Sequence, residues 1–184
     1  MSRLRIPPML HDIFGEQPTT RSILTILLFG GGLTAALYVA YPDMTNGLSP
    51  LRIALALLLM FDVFCGCLAN FTASTSNYYA TRSIHRIVFI AVHVHIVLVA
   101  LLLDADLWYS IGVWAYTMIG ACIVNALIGR PSQRFAAGFF LSIGLACMPV
   151  IPDVSPYMRI VGTLFMLKVM FAFAVDHYGE AMRK

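Results

Sequence analysis

Charge is what this sequence has least of. Only 11% of its 184 residues are Asp, Glu, Lys or Arg, against 60% hydrophobic, whereas a soluble domain carries about 25% charged residues. Such a chain cannot cover a water-facing surface, which excludes a free globular protein. Familiar catalytic motifs are missing too. The chain has no HExxH, no GxSxG, no phosphate-binding glycine loop and no CxxC, so zincin, serine-hydrolase, P-loop and dithiol chemistry lack the residues that carry them. No low-complexity segment occurs. The net charge of +3 offers no basic field for nucleic acid.

Loop cysteines are also lacking. Cys65, Cys67, Cys122 and Cys147 all fall inside apolar runs, where an oxidising compartment would not pair them. Cys65-Gly66-Cys67 looks like a metal or redox pair, but on a helix side chains two apart point about 200° apart. The four cysteines read as buried, reduced, small hydrophobes.

What the chain does have is six apolar runs, roughly 22–41, 50–71, 84–103, 107–128, 134–151 and 157–176. Pro42-Asp43, the polar stretch Thr72 to Thr81, Asp104-Ala105-Asp106, Arg130-Pro131-Ser132 and Pro152-Asp153 with Pro156 separate them. Each run has the length a helix needs to cross about 30 Å of hydrocarbon, and backbone groups in lipid must bond within the helix. The first run is too long for the h-region of a cleavable signal, about 7–15 residues. The expectation is an all-α, polytopic six-helix transmembrane bundle with short loops, over residues 21–178. Residues 1–20 form a separate N-terminal segment, in which 9–14 make a short interfacial helix or an ordered tail, and 179–184 form a C-terminal tail.

Orientation follows from Lys and Arg. With the N-terminus inside, Arg3, Arg5, Arg21, Arg82, Arg86, Arg130, Arg134, Arg183 and Lys184 lie on the cytoplasmic side, and only Arg52 and Arg159 lie outside. Nine against two places both termini in the cytoplasm, in a membrane of the bacterial inner type. Trp108 and Tyr109 open the fourth span at the outer interface. Gly138, Ser142 and Ala146 form a small-residue stripe that suits helix packing within the bundle, or else a homodimer.

Polar residues concentrate in the second and third spans. Asp62, Gly66 and Asn70 share one helix face at i, i+4 and i+8. On the third span Arg82, Arg86, Phe89 and His93 share a face, and an unbroken helix points His95 away from it. His93 and His95 therefore cannot chelate one ion from an intact helix. Lys168 is the one cation within a span, at a depth like that of Asp62, and an unpaired charge there is costly; the two are expected to pair. Asn125, Asp176 and His177 add polar groups at the inner ends of the fourth and sixth spans. Tyr78, Tyr79 and the neutral hydroxyls of the Thr72–Thr81 stretch sit beside Arg82 and Arg86, a mixture suited to a lipid head group or phosphate.

The cavity-lining candidates are thus Asp62, Asn70, Tyr78, Tyr79, Arg82, Arg86, His93, Asn125, Lys168 and Asp176, with His93, His95 and His177 as candidate ligands for a metal or haem. Three functions fit. The leading one is a small transporter or channel whose polar cavity, formed by the second, third, fourth and sixth helices, opens to the cytoplasm and takes a small solute. The second is an intramembrane enzyme acting on a lipid or isoprenoid through His/Asp acid–base or metal chemistry. The third is a non-catalytic partner subunit.

Overall fold

A computed structural model describes residues 4–179. Arg3 and the tail residues Arg183 and Lys184, which enter the orientation argument, lie outside the described residues, as does most of the expected C-terminal tail. Among the described residues the chain is all helical, and six helices are long and apolar enough to cross a membrane: Thr20–Ala40, Pro50–Ala69, Ser83–Leu102, Leu107–Ala126, Ser132–Val150 and Pro156–Phe173. This is a membrane protein of six spans.

The element order is a 3₁₀ turn Pro8–Leu10, α1 His11–Phe14, α2 Thr20–Ala40, α3 Pro50–Ala69, α4 Ala73–Ala80, α5 Ser83–Val92, α6 His95–Leu102, α7 Leu107–Ala126, α8 Ser132–Cys147 and α9 Pro156–Met166. The last span continues beyond α9 as a π-helical segment, Leu167–Phe173. Helix starts follow local chemistry. The Thr19 hydroxyl caps α2 by accepting from the Ser22 N–H, and Ser49 does the same for Arg52 at α3, each satisfying a donor left free in the first turn. Pro50 and Pro156 occupy first-turn positions, where a missing N–H costs nothing.

Six spans leave the first and last described residues on one side of the bundle. That terminal end gathers α1, α4, Gln133 and His177; the far end gathers Arg52, Asp104, Asp106 and Arg159. At the far end Asp104, Asp106 and Asp153 adopt positive φ, and Asp106 Oδ2 accepts from the Ser155 N–H at 3.0 Å. Arg52 donates to the Leu101 and Leu102 carbonyls and meets Asp104 at 2.6 Å. Its hydrogen bond holds the Asp104 carboxyl below its usual pKa; the pair is solvent-exposed and contributes little stability.

Three expectations are corrected. The Thr72–Thr81 stretch is not a loop but the short helix α4, started by the Thr72 hydroxyl accepting from Thr75 N–H at 3.3 Å; a polar composition at the membrane boundary concealed it. Cys122 and Cys147 are exposed on the bundle surface, because an apolar run does not separate lipid-facing positions from core positions. Ser142 and Ala146 are exposed as well, so the stripe does not pack within the bundle. Close packing of α8 instead uses Gly144, where a Cβ would overlap the Met166 and Tyr116 side chains.

The N-terminal segment packs on the bundle instead of trailing from it. The Tyr79 hydroxyl donates to the Asp12 carbonyl at 3.0 Å, and the Ser74 hydroxyl accepts from the Gln17 N–H at 3.0 Å. Gly15 has φ +71° and lies against the Ser74 backbone, a place only glycine fills without strain.

Candidate functional site

The face of α3 that the sequence marks as polar meets Lys168. The Lys168 ammonium donates to Asp62 Oδ2 at 2.6 Å and to the Asp62 carbonyl at 3.3 Å. One turn along, a Cβ at Gly66 would overlap the Lys168 side chain, so the glycine is the gap through which the lysine reaches its partner. A further turn along, Asn70 Nδ2 donates to the Lys168 carbonyl at 3.4 Å. Asp62, Gly66 and Asn70 thus supply a counterion, a passage and a hydrogen-bond cap to one residue. The expected Asp62–Lys168 pairing is present. Cys65 Sγ, next to Gly66, donates toward the Ile26 carbonyl on α2.

The third span is broken. His93 (φ −81°, ψ 72°) ends α5 and Val94 (φ −99°, ψ 10°) precedes α6, with no Pro or Gly to cause it. His93 Nδ1 hydrogen-bonds back to the Phe89 carbonyl, and the β-branched Val92 and Val94 favour non-helical backbone. The break overturns the wheel argument that separates the two histidines. Their rings lie 4.9 Å apart, and His95 Nε2 is 3.4 Å from Asp62 Oδ2. Asp62, His93 and His95 each offer one ligand atom, all within 4.8 Å of one another, so this is where an ion could be held. His177, the third metal candidate, is not part of that group. It donates to the Phe171 and Ala172 carbonyls at 3.2 and 3.1 Å, and burial holds its imidazole below the usual pKa and neutral.

The break also opens a groove. α6 packs against α3, whereas α5 leans on α4 and α7, so α3 and α5 part toward the terminal end. Between them lies a cavity of about 580 Å³, bounded by Asp12, Ile13 and His85 at its mouth and by Asp62, His93, His95 and Lys168 at its base. Ile84, Val88 and Val92 line it and are exposed on the bundle surface, so the groove is open sideways to the lipid. Its base lies about 10 Å below the terminal end of α3, seven residues at about 1.5 Å each. Toward the far end it is closed by fully buried Met60, Val63, Ile96, Val99 and Met158.

The remaining candidates fall into two other groups. Arg86, 2% exposed, donates to Asn125 Oδ1 at 2.7 Å and to the Phe173 and Ala174 carbonyls at 3.4 and 2.6 Å. Gln133 shares this network: it donates to the Val124 and Ala174 carbonyls and accepts from the Asp176 N–H. These side chains bond to carbonyls near the ends of α7 and of the last span. Arg86, Asn125 and Asp176, with Gln133, therefore join α5, α7, α8 and the last span beside the groove, near the terminal end. A ring ladder links them to the base, because Phe173 stacks on Phe89 at 3.6 Å and Phe89 on His93 at 3.8 Å, with the Arg86 guanidinium over Phe173.

The third group lies at the membrane boundary. Arg82 meets Glu16 at 2.7 Å and covers the Tyr78 ring at 4.1 Å. Burial and the Asp12 carboxylate raise the pKa of Tyr78 and Tyr79, keeping both phenols protonated. Tyr79 lines the groove with Asn70, whereas Tyr78 and Arg82 line a separate cavity beside α2.

Sequence reasoning missed His85 and Gln133. His85 was legible, since His85, Phe89 and His93 form an i, i+4, i+8 series. Gln133 had no signal, because one amide at a loop–helix boundary looks like any solvated residue. Compared with protein-family models, curated proteins and solved structures, the chain matches none.

Proposed function

We propose that the protein takes an amphiphile of lipid or isoprenoid type sideways from the bilayer, seats its chain in the α3–α5 groove and acts on its polar end by proton transfer. The single observation behind this reading is Asp62. Its carboxylate lies within a span, and its side chain is 49% exposed at the base of a lipid-open groove. A carboxylate facing hydrocarbon is expensive, so the position calls for an occupant with a polar group. In this reading the Lys168 ammonium attracts an anionic head, the Asp62 carboxylate takes a proton from the amphiphile's polar end and passes it to His95, 3.4 Å away, which returns it to the product, and the apolar walls hold the tail. The mouth at Asp12 and His85 lies at head-group depth.

Transport is the second reading, favoured by one specific feature. Two discontinuous spans, the break at His93–Val94 and the π segment carrying Lys168, meet at a charged site within the membrane, as the broken helices of transporters do. We further propose cytoplasmic termini, from the nine-to-two Lys/Arg asymmetry. Labelling of single cysteines at Asp104 and Ser132, in a background without the native cysteines, should reach the first from outside only and the second from inside only.

The enzyme reading is tested by extracting the protein in mild detergent and identifying co-purifying amphiphiles by mass spectrometry. Val88→Trp, which fills the groove without touching the charges, should remove them, and Asp62→Asn should retain binding but abolish turnover. A Val88→Trp protein with an unchanged complement of bound lipid refutes the groove as the site. Proton flux through wild-type proteoliposomes, with no bound amphiphile, selects transport.

A further inference from the structure

Asp62, His93 and His95 form the one group of three His, Cys, Asp or Glu side chains, among the described residues, whose ligand atoms lie close enough to share an ion. We propose that these three residues bind one zinc-class divalent metal ion, in exchange for the Lys168 ammonium that rests on Asp62. The inference rests on the geometry of the cluster and not on what fills the groove; with the ion bound, Asp62 and His95 serve as its ligands and not as the proton carriers of the metal-free reading.

Three features point to a metal and not merely to an ion pair. The first is the helix break, which spends regular backbone hydrogen bonding to bring two imidazoles together that an intact helix would separate. The second is orientation. His93 Nδ1 is committed to the Phe89 carbonyl, which leaves its Nε2 carrying the lone pair, the usual arrangement by which a backbone carbonyl orients a metal-binding histidine. The third is incompleteness. His95 Nδ1 is buried without a hydrogen-bond partner, so the cluster as it stands leaves this ring unsatisfied on one side.

The donor set selects the metal class. Two imidazoles and a carboxylate suit zinc and its neighbours, whereas calcium and magnesium take oxygen ligands. Tetrahedral bonds of about 2.0–2.2 Å put ligand atoms about 3.4 Å apart. The ligand atoms now lie within 4.8 Å of one another and must draw closer to take the ion, and Asp62, whose side chain is half exposed, is the member with room to move. Three protein ligands leave a fourth position open to the groove, the pattern of a reactive rather than a structural zinc site.

Lys168 makes the proposal sharp. Its ammonium and the metal compete for the same carboxylate, so removing the ammonium should strengthen metal binding although it removes a polar residue. Chelator-stripped protein in detergent is titrated with Zn²⁺ by calorimetry and with Co²⁺ by visible absorption. Wild type should bind one equivalent and give tetrahedral cobalt bands. His93→Gln and His95→Gln should weaken binding at least tenfold, and Lys168→Met should bind at least as tightly as wild type. Asp62→Asn/Lys168→Met, which keeps the charge balance and hence the fold, should not bind. His177→Gln, a histidine outside the cluster, should bind as wild type does. Circular dichroism and gel filtration establish that each variant is folded. Absence of a one-to-one site in both wild type and Lys168→Met overturns the proposal, as does unchanged binding in the folded His93 and His95 variants.

Discussion

Removing either member of the Asp62–Lys168 pair should be costly, but not equally so. In Asp62→Asn the Lys168 ammonium, whose side chain is 3% exposed, keeps only the Asp62 backbone carbonyl at 3.3 Å and an amide in place of a carboxylate. Breaking a buried pair from this side costs about 3–5 kcal/mol. In Lys168→Met the stranded group is the carboxylate. It still has His95 Nε2 at 3.4 Å as a hydrogen-bond partner, so the cost falls to about 1–3 kcal/mol. The double variant strands nothing and should return to within about 1 kcal/mol of wild type, because well-packed neutral side chains replace buried ion pairs almost without loss. Thermal melts in detergent, followed by circular dichroism, read this directly. At about 2–4 °C per kcal/mol for a chain of this length, Asp62→Asn should fall by about 6–20 °C and Lys168→Met by clearly less. Strictly additive losses in the double variant would refute the contact. A larger loss for Lys168→Met than for Asp62→Asn would refute the assignment of which charge is buried.

Gly66→Val should cost about 1–3 kcal/mol by pushing into the Lys168 side chain, and the cost should shrink below about 1 kcal/mol in a Lys168→Ala background; an equal cost in both backgrounds would show that the glycine serves something else. Arg86→Met should lower stability by about 2–4 kcal/mol, because the Phe173 and Asn125 acceptors lose their donor, and Arg86→Lys should recover only part, since one ammonium cannot span three acceptors; full rescue by lysine in the same melt would contradict the clamp. His177 has a folded pKa below its unfolded one, so the unfolded chain takes up the proton first as pH falls. Its contribution is present above the unfolded pKa of about 6.5 and is lost as pH drops below it. His177→Gln should therefore flatten the fall in melting temperature between about pH 7 and 5, and an unchanged slope would place the sensitivity elsewhere.

Several features of the protein were legible before any coordinates. Spanning runs and their breaks follow from composition, because hydrocarbon admits only internally bonded backbone and so makes length and polarity sufficient evidence for a helix. The Asp62–Lys168 pair was legible for a related reason. Two opposite charges at one depth within spans have few other ways to avoid an isolated charge in lipid. The i, i+4, i+8 series Asp62, Gly66, Asn70 placed three residues on one face, and all three serve Lys168.

Tertiary structure decided what periodicity could not. An ideal wheel puts His93 and His95 on opposite sides, and it fails at a break that no Pro or Gly announces. That break depends on His93 bonding to its own helix and on α6 packing against α3 while α5 leans toward α4 and α7. The roles of the arginines were equally hidden. A guanidinium at the end of a span fits the positive-inside pattern whether it meets a ligand or, as Arg86 does, the carbonyls ending a distant helix. Side-chain type and depth are written along the chain. Which free carbonyl, ring or carboxylate a side chain finds depends on how the helices lean, and that is settled by packing among residues far apart in sequence.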